Sequence, residues 1–418
     1  MPASEHSASA LPHIDPERRR FRQDPRERAF FDDPWRLYAH LHRIGGPVYW
    51  EDYDRWCLTE YAAVDGVLRD RRFRRVPPPG HEQAPYPPHL ADFAASEAHS
   101  LLALEPPDHT RLRKLVNRAF VSRQVNRMAP GIRALADACL DRVERDGGAE
   151  LIEAWATPIP VTVIARLIGV PEEESDDLLA WSHAMVRVYT MTQTREEEVA
   201  ANAAARAFTD RLVALIGEKR RRPGDDLISH LLALKPLETP LADEEIVSVA
   251  ILLLNAGHEA TVHQLGNAVR SLLSRPSGAP PPGALFATRE RSDGTVAEVL
   301  RHDAPLHLFI RYAQEDVPLG HGVTLARGDS VALLLGAANR DPRRFARPDT
   351  FDAGREDAGH VTLGGGIHYC VGAQLAKLEI GIALGALFER LPTLSLDGEP
   401  RCRDSYHFHG LEALDVRC

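Results

Sequence analysis

Cysteine is scarce in this 418-residue sequence: Cys57, Cys139, Cys370, Cys402 and Cys418 are five in number and widely scattered. So small and odd a set supports neither a disulfide framework nor paired CxxC zinc sites. It fits a reducing compartment, and the expected location is cytoplasmic. Long apolar runs are also missing. The longest, VSVAILLLNA from Val247, falls well short of the ~18 residues of a bilayer span, and the N-terminus carries no apolar signal-peptide core. No membrane anchor is therefore expected. Nor is there a surplus of positive charge: 60 acidic against 50 basic residues leave a formal net charge of -10, which disfavours nucleic acid as the main partner. Internal repeats and long Gly/Ser linkers are absent, so two proline-rich stretches, from Arg75 and from Ser274, read as loops within one domain.

What the sequence does contain is largely helical in period. Ile132, Leu135, Ala136, Cys139, Leu140 and Val143 recur at steps of three and four, which predicts an amphipathic helix with Cys139 on its buried face. Strand signals are short and few: PVYWED near Pro47, RWCLTE from Arg55, VTLARGDSVALLL from Val323 and LDVRC at the C-terminus. The expected fold is mainly α with a minor β-sheet, a single large domain over residues 31–418 preceded by a partly disordered extension, 1–30. Its centre is a helix from about Asp243 to Leu273, apolar almost all round in its first half and ~45 Å long at ~1.5 Å per residue. Asn255, Gly257, His258 and Glu259 interrupt that apolar stretch. Either the helix kinks there around solvated polar groups, or something polar or bulky faces it.

Cys370 lies in GGGIHYCVGAQLAKLE, which begins at Gly364. Three readings are open. A buried free cysteine is the plainest, because Cys is among the most buried residue types. A nucleophile with His368 as base is weaker, since residues two apart on a turning segment face different ways and no orienting Asn or Asp stands nearby. A metal thiolate accounts for the glycines. Gly364, Gly365, Gly366 and Gly372 remove Cβ atoms where a wide flat group approaches, and they permit turns that aim N–H groups at the sulfur. A helix starting near Val371 adds its positive end.

LGGGIHYCVG resembles the cysteine loop of the cytochrome P450 monooxygenases, Phe-Gly-x-Gly-x-His-x-Cys-x-Gly, with Leu363 in the place of the phenylalanine. Further segments carry the same resemblance in the same order along nearly the whole chain. EVLR, Glu298 to Arg301, resembles the family's Glu-x-x-Arg pair, a buried ion pair that Arg355 in FDAGR can complete. EPPDHTRLRKLVNRAF, from Glu105, resembles the helix whose His109 and Arg113, four residues apart on one face, meet haem propionates; Arg311 and His368 match the other propionate contacts. AGHEAT, Ala256 to Thr261, resembles the oxygen-binding segment of the central helix.

The resemblance implies a haem b with Cys370 as its axial thiolate, and a monooxygenase that inserts one oxygen atom from O2 into a small or medium-sized, largely apolar substrate. Gly257 then leaves room for dioxygen, Glu259 is the acid that helps relay protons, and Thr261 is a candidate for the missing hydroxyl, because Ala260 stands where the family's threonine assists O–O cleavage. His258 reads as a packing or substrate contact. The regions from about Pro77 to Leu102 and from Ala304 to Phe309 match pocket-lining segments, with Leu253, Ala256, Leu306 and Phe309 as apolar walls and His307 as a polar contact. Electrons are expected from a separate ferredoxin or flavodoxin with its NAD(P)H reductase, docking on Arg111, Lys114 and Arg118, and the protein is expected to be a monomer. Three alternatives stay open: a haem-binding protein with little turnover, a peroxide-driven haem-thiolate oxygenase, and a cysteine hydrolase using Cys370 and His368.

Overall fold

Helices dominate the residues described, 13–119, 122–189, 193–234 and 241–418, in a computed structural model of the chain. Those that position the site are α1 (Asp108–Ala119), α2 (Ala129–Asp146), α3 (Pro158–Ile168), α4 (Ser175–Val186), α5 (Arg195–Arg221), α6 (Asp243–Leu273), α7 (Arg289–His302) and α8 (Ala373–Arg390). The periodic segment from Ile132 becomes α2, burying Ile132, Ala136, Cys139, Leu140 and Val143 as their spacing predicts.

The 31-residue α6 matches its predicted bounds. Asp243, Glu244 and Glu245 occupy its first turn, where negative charge meets the positive end of the helix dipole, and Glu245 Oε2 accepts the Ala242 N–H at 3.0 Å. By length and composition α6 is apolar enough to cross a membrane, but 83% of its most apolar window is buried against protein. It is a core helix, packed against α3, α4, α5, α7 and α8. Such all-round burial needs apolar residues on every face, which is why its sequence shows so little amphipathic contrast.

Beside the helices lies a seven-stranded mixed sheet formed by β1 (His13–Asp15), β2 (Arg20–Arg22), β3 (Val48–Trp50), β4 (Arg55–Leu58), β5 (Phe73–Arg74), β6 (Leu308–Ala313) and β7 (Ser330–Leu334), in the order β1-β2-β3-β4-β7-β6-β5. Pairs β2/β3 and β4/β7 are parallel, the others antiparallel. A domain boundary at residue 30 does not hold. Residues 1–12 lie outside the described residues, whereas β1 and β2 belong to the sheet and Phe21 and Phe30 are buried in its aromatic cluster with Trp50. In β2 the Arg-Phe-Arg alternation turns the phenylalanine inward and both arginines outward, a half-buried strand only three residues long. β6 escaped the sequence reading because its burial does not alternate; neighbours on both edges hold it in place.

Candidate functional site

The loop carrying Cys370 joins the sheet side of the molecule to α8. Gly364 (φ +69°) and Gly366 (φ +63°) adopt the left-handed conformation, and a Cβ on Gly366 would stand 2.4 Å from the Leu68 carbonyl oxygen, so only glycine fits there. The Cys370 N–H donates to Leu363 O at 2.9 Å and closes the loop. Gly372 precedes the first residue of α8, and a Cβ on it would stand 4.0 Å from the Cys370 sulfur. Burial raises the Cys370 thiol above its ordinary value, opposed by the Gly372 N–H, Arg113 and Lys377. In the bare protein burial outweighs these donors. A cation bonded to the sulfur reverses that balance.

Around this loop the structure gathers imidazoles and guanidinium groups. His109, 2% exposed on α1, lies with its ring centroid 4.4 Å from that of His368, and its Nε2 is buried without a hydrogen-bond partner. Burial pulls the His109 pKa down to about 4. Arg113, one turn along α1, donates to the Tyr369 carbonyl. Arg311 on β6 is 3% exposed; it donates to the neighbouring Ile310 O at 2.9 Å, and among the described residues no acidic side chain forms an ion pair with it. Burial drags that guanidinium down to about 9, which records how poorly it is compensated. His368 Nε2 lies 3.3 Å from Glu105 Oε1, which also accepts the Arg75 N–H at 2.8 Å. A buried guanidinium with no acidic partner and a buried imidazole nitrogen with no hydrogen bond, both among the described residues, fit carboxylates brought from outside the chain. The donor set therefore fits a haem with two propionates. Arg75 and Glu105 were not singled out in the sequence; proline-rich surroundings and a proline pair hid them.

On α6, Ala256 is exposed and Ala260, one turn on, is half-buried, in the middle of an otherwise buried helix. This accessible stripe of small side chains faces open space. Gly257 has another reason to be glycine than room for dioxygen: a Cβ would meet Ile164 Cδ1 of α3 at 2.9 Å, so its lack of side chain serves helix packing. The Thr261 hydroxyl donates to Gly257 O at 2.8 Å and is engaged within the helix.

Glu259, 2% exposed, meets Arg403 through Oε1, with His263 Nε2 3.4 Å from the same oxygen. Its Oε2 faces His258 Nε2 at 3.4 Å and His183 Nε2 of α4 at 3.6 Å. Burial pushes this carboxyl up, but His263, Arg403 and His258 outweigh it and hold the group well below the ordinary carboxylate value. His258 is fully buried and donates from Nδ1 to Leu254 O at 2.9 Å, consistent with a packing role. Nothing in local spacing announces Arg403 or His183, which arrive from the C-terminal segment and from α4.

The remaining candidates divide. Glu298 and Arg301 are both fully buried and paired twice, at 2.7 and 2.8 Å, and Arg355 Nε reaches the same carboxylate at 3.3 Å. Phe309 is half-buried beside the cysteine loop, its ring 3.4 Å from where a Gly364 Cβ would be, and Leu306 is half-buried opposite Phe408. Leu253 is 5% exposed and packs into the main helical core. His307 offers no pocket contact: it is fully buried, with Nδ1 2.8 Å from the Tyr38 hydroxyl. The basic stripe on α1 is also smaller than expected, because Arg111 is tied to Glu245 of α6, leaving Lys114 and Arg118 exposed.

Comparison with known proteins agrees with this geometry. Residues 292–405 match the family described as Cytochrome P450. The chain is 39% identical to cytochrome P450 107B1 of Saccharopolyspora erythraea over 374 residues, 87% of this chain and 89% of that protein. It is 36% identical to the cytochrome P450 monooxygenase PikC of Streptomyces venezuelae over 93% of this chain and 92% of the relative. The crystal structure of P450BioI in complex with an acyl carrier protein bearing hexadec-9Z-enoic acid superposes with a TM-score of 0.85 at 34% identity, covering 93% of this chain and 99% of that one. Family members carry haem b on a cysteine thiolate and act with redox partners on a substrate and O2. With its cysteine loop, cation cradle and central helix, the chain belongs to the cytochrome P450 family and is a haem-dependent monooxygenase.

Proposed function

We propose that Cys370 is the axial ligand and that His109, Arg113, Arg311 and His368 bind the haem propionates. The observation that carries this reading is the buried, uncompensated Arg311 and the unpartnered His109 Nε2 beside the Cys370 loop. When bound, the haem would supply the oxidant, using O2, two electrons and two protons to insert one oxygen atom into a C–H bond or double bond and release the other as water. Every other role falls to the chain. The glycines at 364 and 366 let the loop turn tightly while the Cys370 N–H is held by Leu363 O. Arg301, Glu298 and Arg355 pin α7 to the segment ahead of that loop through the Asn339 and Pro348 carbonyls.

Glu259 holds an ionised carboxylate on α6, with His258 and His263 each 3.4 Å from it, and is the acid that helps relay protons. With Ala260 in place of a threonine and the Thr261 hydroxyl engaged by Gly257 O, a hydroxyl of the substrate or an ordered water completes the relay. The exposed Ala256, with Phe309 and the half-buried Leu306, offers a largely apolar wall to a small or medium-sized substrate. Lys114 and Arg118 receive an acidic ferredoxin or flavodoxin that is reduced by its own NAD(P)H reductase, and the enzyme works as a cytoplasmic monomer. A peroxide-driven mode is disfavoured by Arg403: the one guanidinium at this part of α6 among the described residues is engaged by Glu259 and by His263 Nε2 at 3.0 Å, rather than available to hold a substrate acid.

Carbon monoxide difference spectra of the reduced protein test the ligand. Wild type should give the thiolate-type carbonyl band and consume O2 in the presence of an electron donor, and Cys370→Ser should lose the band. An unchanged band in that variant would overturn the assignment.

A further inference from the structure

The Glu259 cluster contains more donor atoms than a proton relay requires, and their spacing is unlike that of hydrogen bonds. His258 Nε2 and His183 Nε2 lie 3.4 and 3.6 Å from Glu259 Oε2, beyond the ~2.7–3.2 Å of a good N–H···O contact. Ligands bonded tetrahedrally at ~2.0–2.1 Å to one ion are separated by about 3.3 Å, which is close to both distances. All three atoms lie within 4.8 Å of one another.

The protonation pattern supports the same geometry. His258 Nδ1 faces the Leu254 carbonyl at 2.9 Å, and a carbonyl can only accept, so Nδ1 carries the hydrogen. The neutral ring then turns the lone pair of Nε2, a buried atom with no hydrogen-bond partner, toward an anionic oxygen. A lone pair aimed at a carboxylate is unfavourable unless a cation stands between them. The Nδ1 contact is also the outer-shell arrangement that fixes the orientation of metal-bound histidines. Arg403 and His263 take the other carboxylate oxygen, Oε1, and leave Oε2 to this side. His183, half-exposed on α4, gives an entry path from solvent.

We propose that these three residues form a binding site for a zinc-class divalent cation: His183 Nε2, His258 Nε2 and Glu259 Oε2 as ligands, water in the fourth position, α4 clamped to α6. Two imidazoles and a carboxylate are a donor set zinc accepts. The site does not rest on the haem assignment; only its effect on turnover rests on Glu259 serving the reaction.

The test is calorimetric titration of the haem-loaded protein with zinc chloride alone, together with zinc-edge X-ray absorption. Wild type should bind one ion tightly with nitrogen and oxygen neighbours. His183→Ala, at a half-exposed position, should bind at least about 100-fold more weakly, since losing only an outer-shell partner costs about 10- to 100-fold. His183→Gln guards against misfolding and should behave alike, whereas His89→Ala, which removes an imidazole paired with Glu198 elsewhere, should bind as wild type does. Equal affinity in wild type and both His183 variants, or no zinc bound by wild type, overturns the proposal. Zinc should also slow turnover of wild type, and tight binding without slowing would sink the proton role of Glu259 while leaving the site intact.

Discussion

Glu298 on α7 and Glu259 on α6 are both buried carboxylates, and their surroundings differ in kind. Glu298 accepts two bonds from Arg301 at 2.7 and 2.8 Å, one from the Asp352 N–H at 2.8 Å and a longer one from Arg355. Each of its lone-pair directions has a dedicated donor, and Arg301 passes the connection on to the carbonyls of Asn339 and Pro348. Glu259 has one guanidinium and three imidazoles, the latter at 3.4 to 3.6 Å. A saturated, bidentate network fixes geometry and has nothing left to exchange. A loosely spaced one, with imidazole nitrogens not saturated by hydrogen bonds, can hold a cation. The contrast separates a girder from a working part, although residue type and burial alone make the two carboxylates look alike.

The sharpest way to break this comparison is Arg301→Ala. It leaves Glu298 with Arg355 and one N–H, strands two carbonyls, and should lower unfolding stability by about 3–5 kcal/mol in denaturant titration. Arg403→Ala should cost less, about 1–3 kcal/mol, because the imidazoles around Glu259 remain to compensate it. Equal losses would erase the distinction drawn here. The smallest effect concerns pH. The Glu259 carboxyl is held below its ordinary value in the folded protein, so its contribution is complete above the unfolded pKa near 4.5 and is lost as pH falls through the folded value. Glu259→Gln should therefore flatten the decline of stability on the acid side, read as unfolding midpoint against pH from neutrality down to about 3, and leave the slope near neutrality unchanged.

Much of the site was legible because it is local in sequence. The Cys370 loop declares itself through glycines at fixed offsets, and the structure shows why one of them is needed: at Gly366 a side chain would strike the Leu68 carbonyl. The Glu298–Arg301 pair sits one helical turn apart, a spacing that brings the two groups together wherever a helix forms. The bounds of α6 were legible in a long helical run whose first half is apolar almost all round. Partners brought by distant chain were not legible. Arg403 lies 144 residues from Glu259, and His368 meets Glu105 across 263. β1 and β2 were mistaken for an extension because three-residue strands carry almost no periodic signal. Gly257 was read as leaving room for dioxygen; the structure adds a neighbour that spacing could not reveal, Ile164 of α3.

Taken by itself, the sequence determined which backbone conformations are affordable and which groups lie within one turn of each other, because both depend on interactions between near neighbours. That is enough to specify a glycine-built cysteine loop, a buried Glu-x-x-Arg pair and a long apolar helix in a mainly helical chain. The tertiary structure alone decided which side chains from remote segments share a desolvated space: the donors gathered around His109 and Arg311, and the arrival of Arg403 and His183 on Glu259. Those encounters depend on how helices and sheet pack, a sum of many weak contacts that no short stretch of residues encodes.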